Sequence, residues 1–348
     1  MRIPVVALLG TLLAACATAL VPPAKSREAA VVVDPRIELM SVLQVLTDYP
    51  LTTYLDHSYK KEVRERFSAH SNHPAVATFR SMWKKEFRFS TVPEAIMAFT
   101  PPPELAVRRP LKAEILEGAG GQAQLDQLIA EMRDFVRASE FDRFFAQKQP
   151  YYARLISRTA PVVKSVIGPL EDYLGTELGD TTVVLGPLLH EGGFLSSYAN
   201  DSGQPEIYAF IGPDKVVDGL PDFGTAERLE PLISHEFAHS VINPLTERHS
   251  VEVNARAAVF PPIAAKMKEN GYGTWEQTVY EHVIRAITVR LTTRSRGEAA
   301  GKAALDEELK RGFVYVPALV RKLEEYERNR ASYPTIGDYF PKLLTAFA

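Results

Sequence analysis

One cysteine, Cys16, stands in 348 residues, so no disulfide can form within the chain and its stability must come from a buried core. Beyond the first fifteen positions no apolar run reaches the ~20 residues that a bilayer-spanning helix needs. A basic excess is also missing. The 40 Lys and Arg face 43 Asp and Glu, for a formal charge of −3. Without a basic stripe the chain has no electrostatic footprint for nucleic acid, which is excluded as a partner class. No segment recurs at the 20–50-residue spacing of repeat proteins, so a solenoid is excluded too. What is present is 46% hydrophobic and 24% charged residues. At this length that composition suits one large or two modest globular domains.

The N-terminus is the exception to the even composition. MRIPVVALLGTLLAAC carries one positive charge at Arg2, an apolar run from Val5 to Leu13, and small residues at Ala14 and Ala15. That is the shape of a secretory signal, too short to span a membrane. Leu13-Ala14-Ala15-Cys16 resembles the bacterial lipobox, whose cysteine is lipidated and becomes the mature N-terminus. The resemblance implies a signal peptide over 1–15 and a lipidated tether over 16–34. It places the protein at the bacterial cell envelope, anchored through Cys16 at the outer membrane and facing the periplasm. Cleavage after Ala17-Thr18-Ala19 would release a soluble secreted protein instead.

From residue 35 to 175 the pattern is helical. Ile37, Met40, Val45 and Leu46 fall at near-helical spacing, and Tyr59, Val63 and Phe67 follow four apart. Segments 122–145 and 150–174 read as long amphipathic helices, with Pro101-Pro102-Pro103 and the glycines at 118, 120 and 121 marking loops. Residues 176–348 differ. Thr181–Gly186 and Glu206–Ile211 are β-branched runs closed by Gly-Pro, hence strands, with a hairpin or loop between them. Helices then run to the end. The fold expected is α+β and mostly helical, with a small sheet preceding a helix from about Ala226 to Asn243.

That helix carries the chemistry. His235-Glu236-Phe237-Ala238-His239 is an H-E-x-x-H motif. Four residues are just over one turn, so both imidazoles project from one face and can ligate one Zn²⁺. Glu236 points aside, where a carboxylate reaches the ion's water without ligating the ion. Leu232, Ile233, Phe237, Ala238, Val241 and Ile242 make the helix strongly apolar. Buried, its ionisable groups need compensation, and a cation supplies it.

Strands leading into an H-E-x-x-H helix, with helices after it, is the order of zincin metallopeptidases, in which an edge strand binds an extended substrate by strand addition. Residues Thr181–Leu291 resemble a gluzincin-type zinc peptidase core. The segments His235–Pro244, Glu281–Arg290, Asp34–Leu39 and His73–Val76 also resemble an uncharacterised bacterial family of exported H-E-x-x-H proteins, a domain of unknown function. Metzincins do not fit, because their longer motif needs Gly at 242 and His at 245, where this chain has Ile242 and Leu245.

The gluzincin resemblance implies a third ligand, a glutamate on a later helix. Glu247, Glu252, Glu276 and Glu281 are the candidates. Glu247 and Glu252 follow the first helix too closely. Thr274–Leu291 reads as the later helix, with Glu276 in its first turn and Glu281 at the edge of its apolar stripe. Glu281 is the ligand assigned, with Glu276 its strongest rival and an ion pair to Arg285 the alternative role for Glu281. Better-known gluzincins carry an acidic residue where this chain has Arg285.

The function implied is a membrane-anchored, exported peptidase with one Zn²⁺ per chain on His235, His239 and Glu281. Glu236 is its general base, and a peptide or protein is its substrate. His282, Arg285, Tyr280 and Tyr198 are the candidates for stabilising the oxyanion. His57, His70, His73 and His249 read as surface or capping residues, and His190 as the same or as lining the cleft. A non-catalytic envelope lipoprotein that uses the fold as a binding module is the alternative.

Overall fold

The computed structural model describes residues 28–348 apart from 53 and 201, so the lipobox, Cys16 and the tether up to residue 27 lie outside the described residues. Residues 30–34, read from the sequence as tether, belong to the fold instead. Ala30–Val32 forms strand β1, because its β-branched residues find a parallel partner in β2, Asp180–Leu185, with Val31 opposite Val183. Asp34 then caps the helix Pro35–Leu46, its carboxylate accepting from the Arg36 amide at 2.9 Å.

The main sheet is completed by β3, Gly192–Ala199, and β4, Pro205–Gly212, in the order β1-β2-β4-β3. β1, β2 and β4 are parallel, and β3 runs antiparallel at the edge, with Phe194 opposite Phe210. The segment between the expected strands is thus a hairpin arm. Strand alternation sorts the side chains. Val183, Leu185, Ile207, Ala209 and Ile211 join the large core with Ile233 and Phe237, while Val184 and Phe210 face Ile37 and Met97. Helices therefore cover both faces.

The H-E-x-x-H helix spans Ala226–Arg248 and does not stop at Asn243-Pro244 as expected. Proline removes one backbone hydrogen bond but leaves the neighbouring turns intact, and burial of Ile242, Leu245 and Thr246 carries the helix through. The later helix spans Trp275–Arg296. Thr274 and Gln277 start it with a capping box, the Gln277 amide donating to Thr274 Oγ1 at 3.2 Å and the Thr274 amide to Gln277 Oε1 at 3.2 Å. From Glu281 to Ile287 it is buried all round, enclosed by the Ala226–Arg248, Glu298–Lys310 and Val316–Arg328 helices.

The expected long helices are broken. Segment 122–145 divides into Gln122–Ser139 and Phe141–Gln147 at Glu140, whose φ is +53°, and segment 150–174 divides into Gln149–Lys164 and Ile167–Leu174. One hydrophobic cluster draws on Leu39, Phe79, Phe135 and Leu155 as well as Val183, Phe237, Ile284 and Tyr339. The two zones that differ in sequence pattern share that core. Among the described residues no helix is long and apolar enough to cross a membrane.

Candidate metal centre

Two helices and one strand build the site. The Ala226–Arg248 helix lies against β3 and crosses the Trp275–Arg296 helix, so residues 42 positions apart meet. His235 Nε2 and His239 Nε2 lie 3.2 Å apart, on one helix face as their spacing requires. From the other helix the Glu281 carboxylate reaches both, with Oε1 3.4 Å from His239 Nε2 and Oε2 3.6 Å from His235 Nε2. His235, His239 and Glu281 could hold a metal ion, since one donor atom from each lies within 4.8 Å of the others.

The surroundings prepare the donors. Asn243, one turn beyond His239, places Oδ1 3.0 Å from His239 Nδ1. A proton shared there leaves Nε2 with its lone pair toward Glu281 and His235. Burial, then the nearby Arg285 and His239, hold the His235 imidazole well below the ordinary histidine range, which keeps it neutral as a ligand must be. Glu281 is 3% exposed, and Arg285 Nη2 donates to its Oε2 at 3.1 Å. The ion pair foreseen as an alternative role therefore coexists with the facing histidines. Arg285 is itself held by Glu308 Oε2 at 3.0 Å and by the Tyr272 hydroxyl at 3.1 Å, with its guanidinium 4.0 Å from the centre of the Phe313 ring.

Glu236 is buried beside the donors and lines the same cleft, of about 740 Å³. Burial first, and the Glu281 charge second, push its carboxyl up to about 8. A cation held by the neighbouring ligands opposes that shift. β3 passes so close that a Cβ on Gly193 would lie 2.7 Å from Glu236 Oε1. Glycine at 193 lets the strand edge and the carboxylate share one floor of the cleft.

The other sequence candidates separate. Glu276 and Glu252 are exposed away from the cleft, and Glu252 faces His249 at 3.6 Å. Glu247 is exposed at the cleft rim. His282 is buried behind the site, its Nδ1 2.7 Å from the Thr278 carbonyl and its ring against Phe313, Tyr315 and Phe347. Arg285 is engaged as described. The Tyr198 hydroxyl donates to the Glu94 carbonyl, and Tyr280 sits edge-on to the His239 ring. His57 and His73 cap helices through Nδ1, as expected of capping residues. His190 packs edge-on against Phe194, outside the residues that line the cleft.

Sequence reasoning missed Tyr272 and Asn243. Tyr272 lines the cleft beside Glu236 from the loop ahead of the second helix. Its signal was Gly271-Tyr272-Gly273, an aromatic residue between two glycines, the first at φ +97°. Asn243 was read as a helix stop. Its signal was the same i+4 spacing that links the histidines.

No curated protein and no solved structure matches the chain. A family model does, across residues 29–346, from β1 through both ligand helices to the last turn. The chain therefore belongs to the family described as Domain of unknown function (DUF4932).

Proposed function

We propose that this protein is an exported, membrane-anchored zinc peptidase in which a zincin-like site hydrolyses a peptide or amide bond. The observation that carries the reading is Glu236. A site that only held a metal would have no need of a buried carboxylate beside its ligands and open to the cleft. Support for zinc comes from the donor set and its spacing. Two imidazoles and a carboxylate are a common catalytic zinc set, and bonds of ~2.0–2.1 Å in a tetrahedron place donors ~3.3 Å apart. Here the two imidazole nitrogens lie 3.2 Å apart, with one carboxylate oxygen 3.4 Å from His239 and the other 3.6 Å from His235.

Zinc on His235, His239 and Glu281 would act as a Lewis acid on a water and on the substrate carbonyl. The chain's own groups do the rest. Glu236 takes the proton of the attacking water on its carboxylate and returns it to the leaving nitrogen. Tyr272, pushed up to about 12 by burial and then by Glu281, keeps its phenolic proton at neutral pH. It accepts from Arg285, and its O–H, which bonds Glu281 here, would turn to the oxyanion once that carboxylate ligates zinc. The unpaired edge of β3 holds the substrate backbone.

Glu236→Gln tests the reading. The variant should keep about one zinc per chain by metal analysis and lose ~10²–10⁴-fold in peptide hydrolysis, while His235→Ala with His239→Ala should carry no zinc. Undiminished turnover in Glu236→Gln would remove that residue from the mechanism. Zinc binding without turnover of any peptide by the wild type would favour a binding module.

A further inference from the structure

The cleft does not end at the metal ligands. Past Gly193, Glu236 and Tyr272 it runs into a depression of about 360 Å³ that holds Arg228, Arg285, Arg311 and Glu308. Past Ser197, Ser240 and Pro244 it meets a groove of about 480 Å³ walled by Leu178, Ile207, Val241, Leu245 and Ile336. β3 lies along this path from Gly193 to Ser197 and, among the described residues, pairs on one side only. Because both ends are open, a bound chain can continue past the ligands in either direction.

Direction follows from the strand. Antiparallel pairing is the more stable per residue, so a segment added to β3 runs from the Ser197 end toward Gly193. Its C-terminal side then reaches the arginines. There the three guanidiniums are opposed by Glu308 and by Asp214, which holds Arg228 at 3.2 Å. Glu281 Oε2 faces His235 and also takes Arg285 at 3.1 Å. Arg228 also donates to the Phe223 carbonyl, and Arg285 is engaged as above. Arg311 is the accessible one. Its side chain is 48% exposed, and Glu308, 3.4 Å away, is already shared with Arg285. The cleft at the ligands has the other sign, with Glu94, Glu114 and Glu247 against Lys112, itself 2.9 Å from Glu94.

We infer that the groove takes an extended peptide with a carboxylate on the C-terminal side of the bond presented to Glu236, and that Arg311 receives that carboxylate. The inference rests on the peptidase reading for the identity of the bond. The polarity of the groove stands on its own. An acidic side chain and a free C-terminus offer the same chemistry at Arg311.

The test is binding of fluorescent octapeptides to zinc-loaded Glu236→Gln protein by anisotropy. One arm scans Glu against Gln along peptides with an amidated C-terminus; the other compares free acid with amide on a neutral peptide. A carboxylate in the C-terminal half should tighten binding about tenfold, and Arg311→Glu should remove that gain without shifting the melting curve. The arm that responds identifies the source. Equal affinities in both arms, a preference in the N-terminal half, or a gain that survives Arg311→Glu would overturn the inference. Mass spectrometry of the same peptides with wild-type protein separates the two ideas. Polar binding without cleavage defeats the peptidase reading alone, and cleavage without charge preference defeats the inference alone.

Discussion

Glu281 faces two histidines and an arginine at once, and its substitution distinguishes those roles. Glu281→Gln keeps the shape but replaces an anionic donor with a neutral one. Zinc affinity should fall sharply, and the zinc-dependent part of the melting temperature should vanish. Arg285 keeps Glu308 and Tyr272, and the amide oxygen of Gln can still accept from it, so the loss of stability without metal should be about 1 kcal/mol. Glu276→Gln, on an exposed first-turn residue, should change neither. Zinc lost by the Glu276 variant and kept by the Glu281 variant, measured by metal analysis after dialysis, would move the ligand to the earlier position. In the proposed zinc site Arg285 stands where better-known gluzincins carry an acidic residue. The outer contact here orients the carboxylate ligand, while Asn243 orients an imidazole.

At the scale of elements, the site depends on two helices crossing at a fixed register. The Trp275–Arg296 helix starts at its capping box and is enclosed from Glu281 onward. Thr274 is exposed, so Thr274→Ala removes the cap and little else. The expected cost is about 1 kcal/mol by denaturant titration, with zinc content unchanged because the ligand lies two turns further in. A loss of zinc in that variant would show that the cap sets the register of Glu281. β3 supplies the third wall, and Gly193 fits it against Glu236.

For the whole molecule, a buried carboxyl remote from the metal centre ties stability to pH. Glu38 is 1% exposed, accepts from the Tyr59 hydroxyl and from Tyr152 at 3.2 Å, and has Oε1 without a partner. Burial pushes its pKa from 4.5 up to about 7 against those hydrogen bonds, and Asp34 adds to the rise. The folded protein therefore binds this proton more tightly than the unfolded chain. Its contribution is complete below pH 4.5 and is lost as pH rises through 7, at up to ~1.4 kcal/mol per pH unit. Glu38→Gln should flatten the decline between pH 5 and 8 in denaturant melts. Equal slopes in variant and wild type would dismiss Glu38 as the source. Anchoring also belongs to this scale. Cys16→Ser should move the protein from the detergent to the aqueous phase or leave an uncleaved precursor, and unchanged partition would refute lipidation.

What the sequence determined by itself was local. The turn-long spacing of His235 and His239, the two β-branched runs, the Thr274 start and the helical character of the first half are all short-range periodicities, which propensity and pattern encode directly. Glu281 was reachable only through a resemblance, because its link to His239 spans 42 residues and no periodicity crosses that gap. The tertiary structure decided the rest. Whether Pro244 ends a helix depends on the burial of Ile242 and Leu245. Whether residues 30–34 are tether or strand depends on β2, some 150 residues away. Tyr272 acquires meaning only where the two helices cross. Each of these is a long-range packing outcome, in which burial against a distant partner outweighs the local preference.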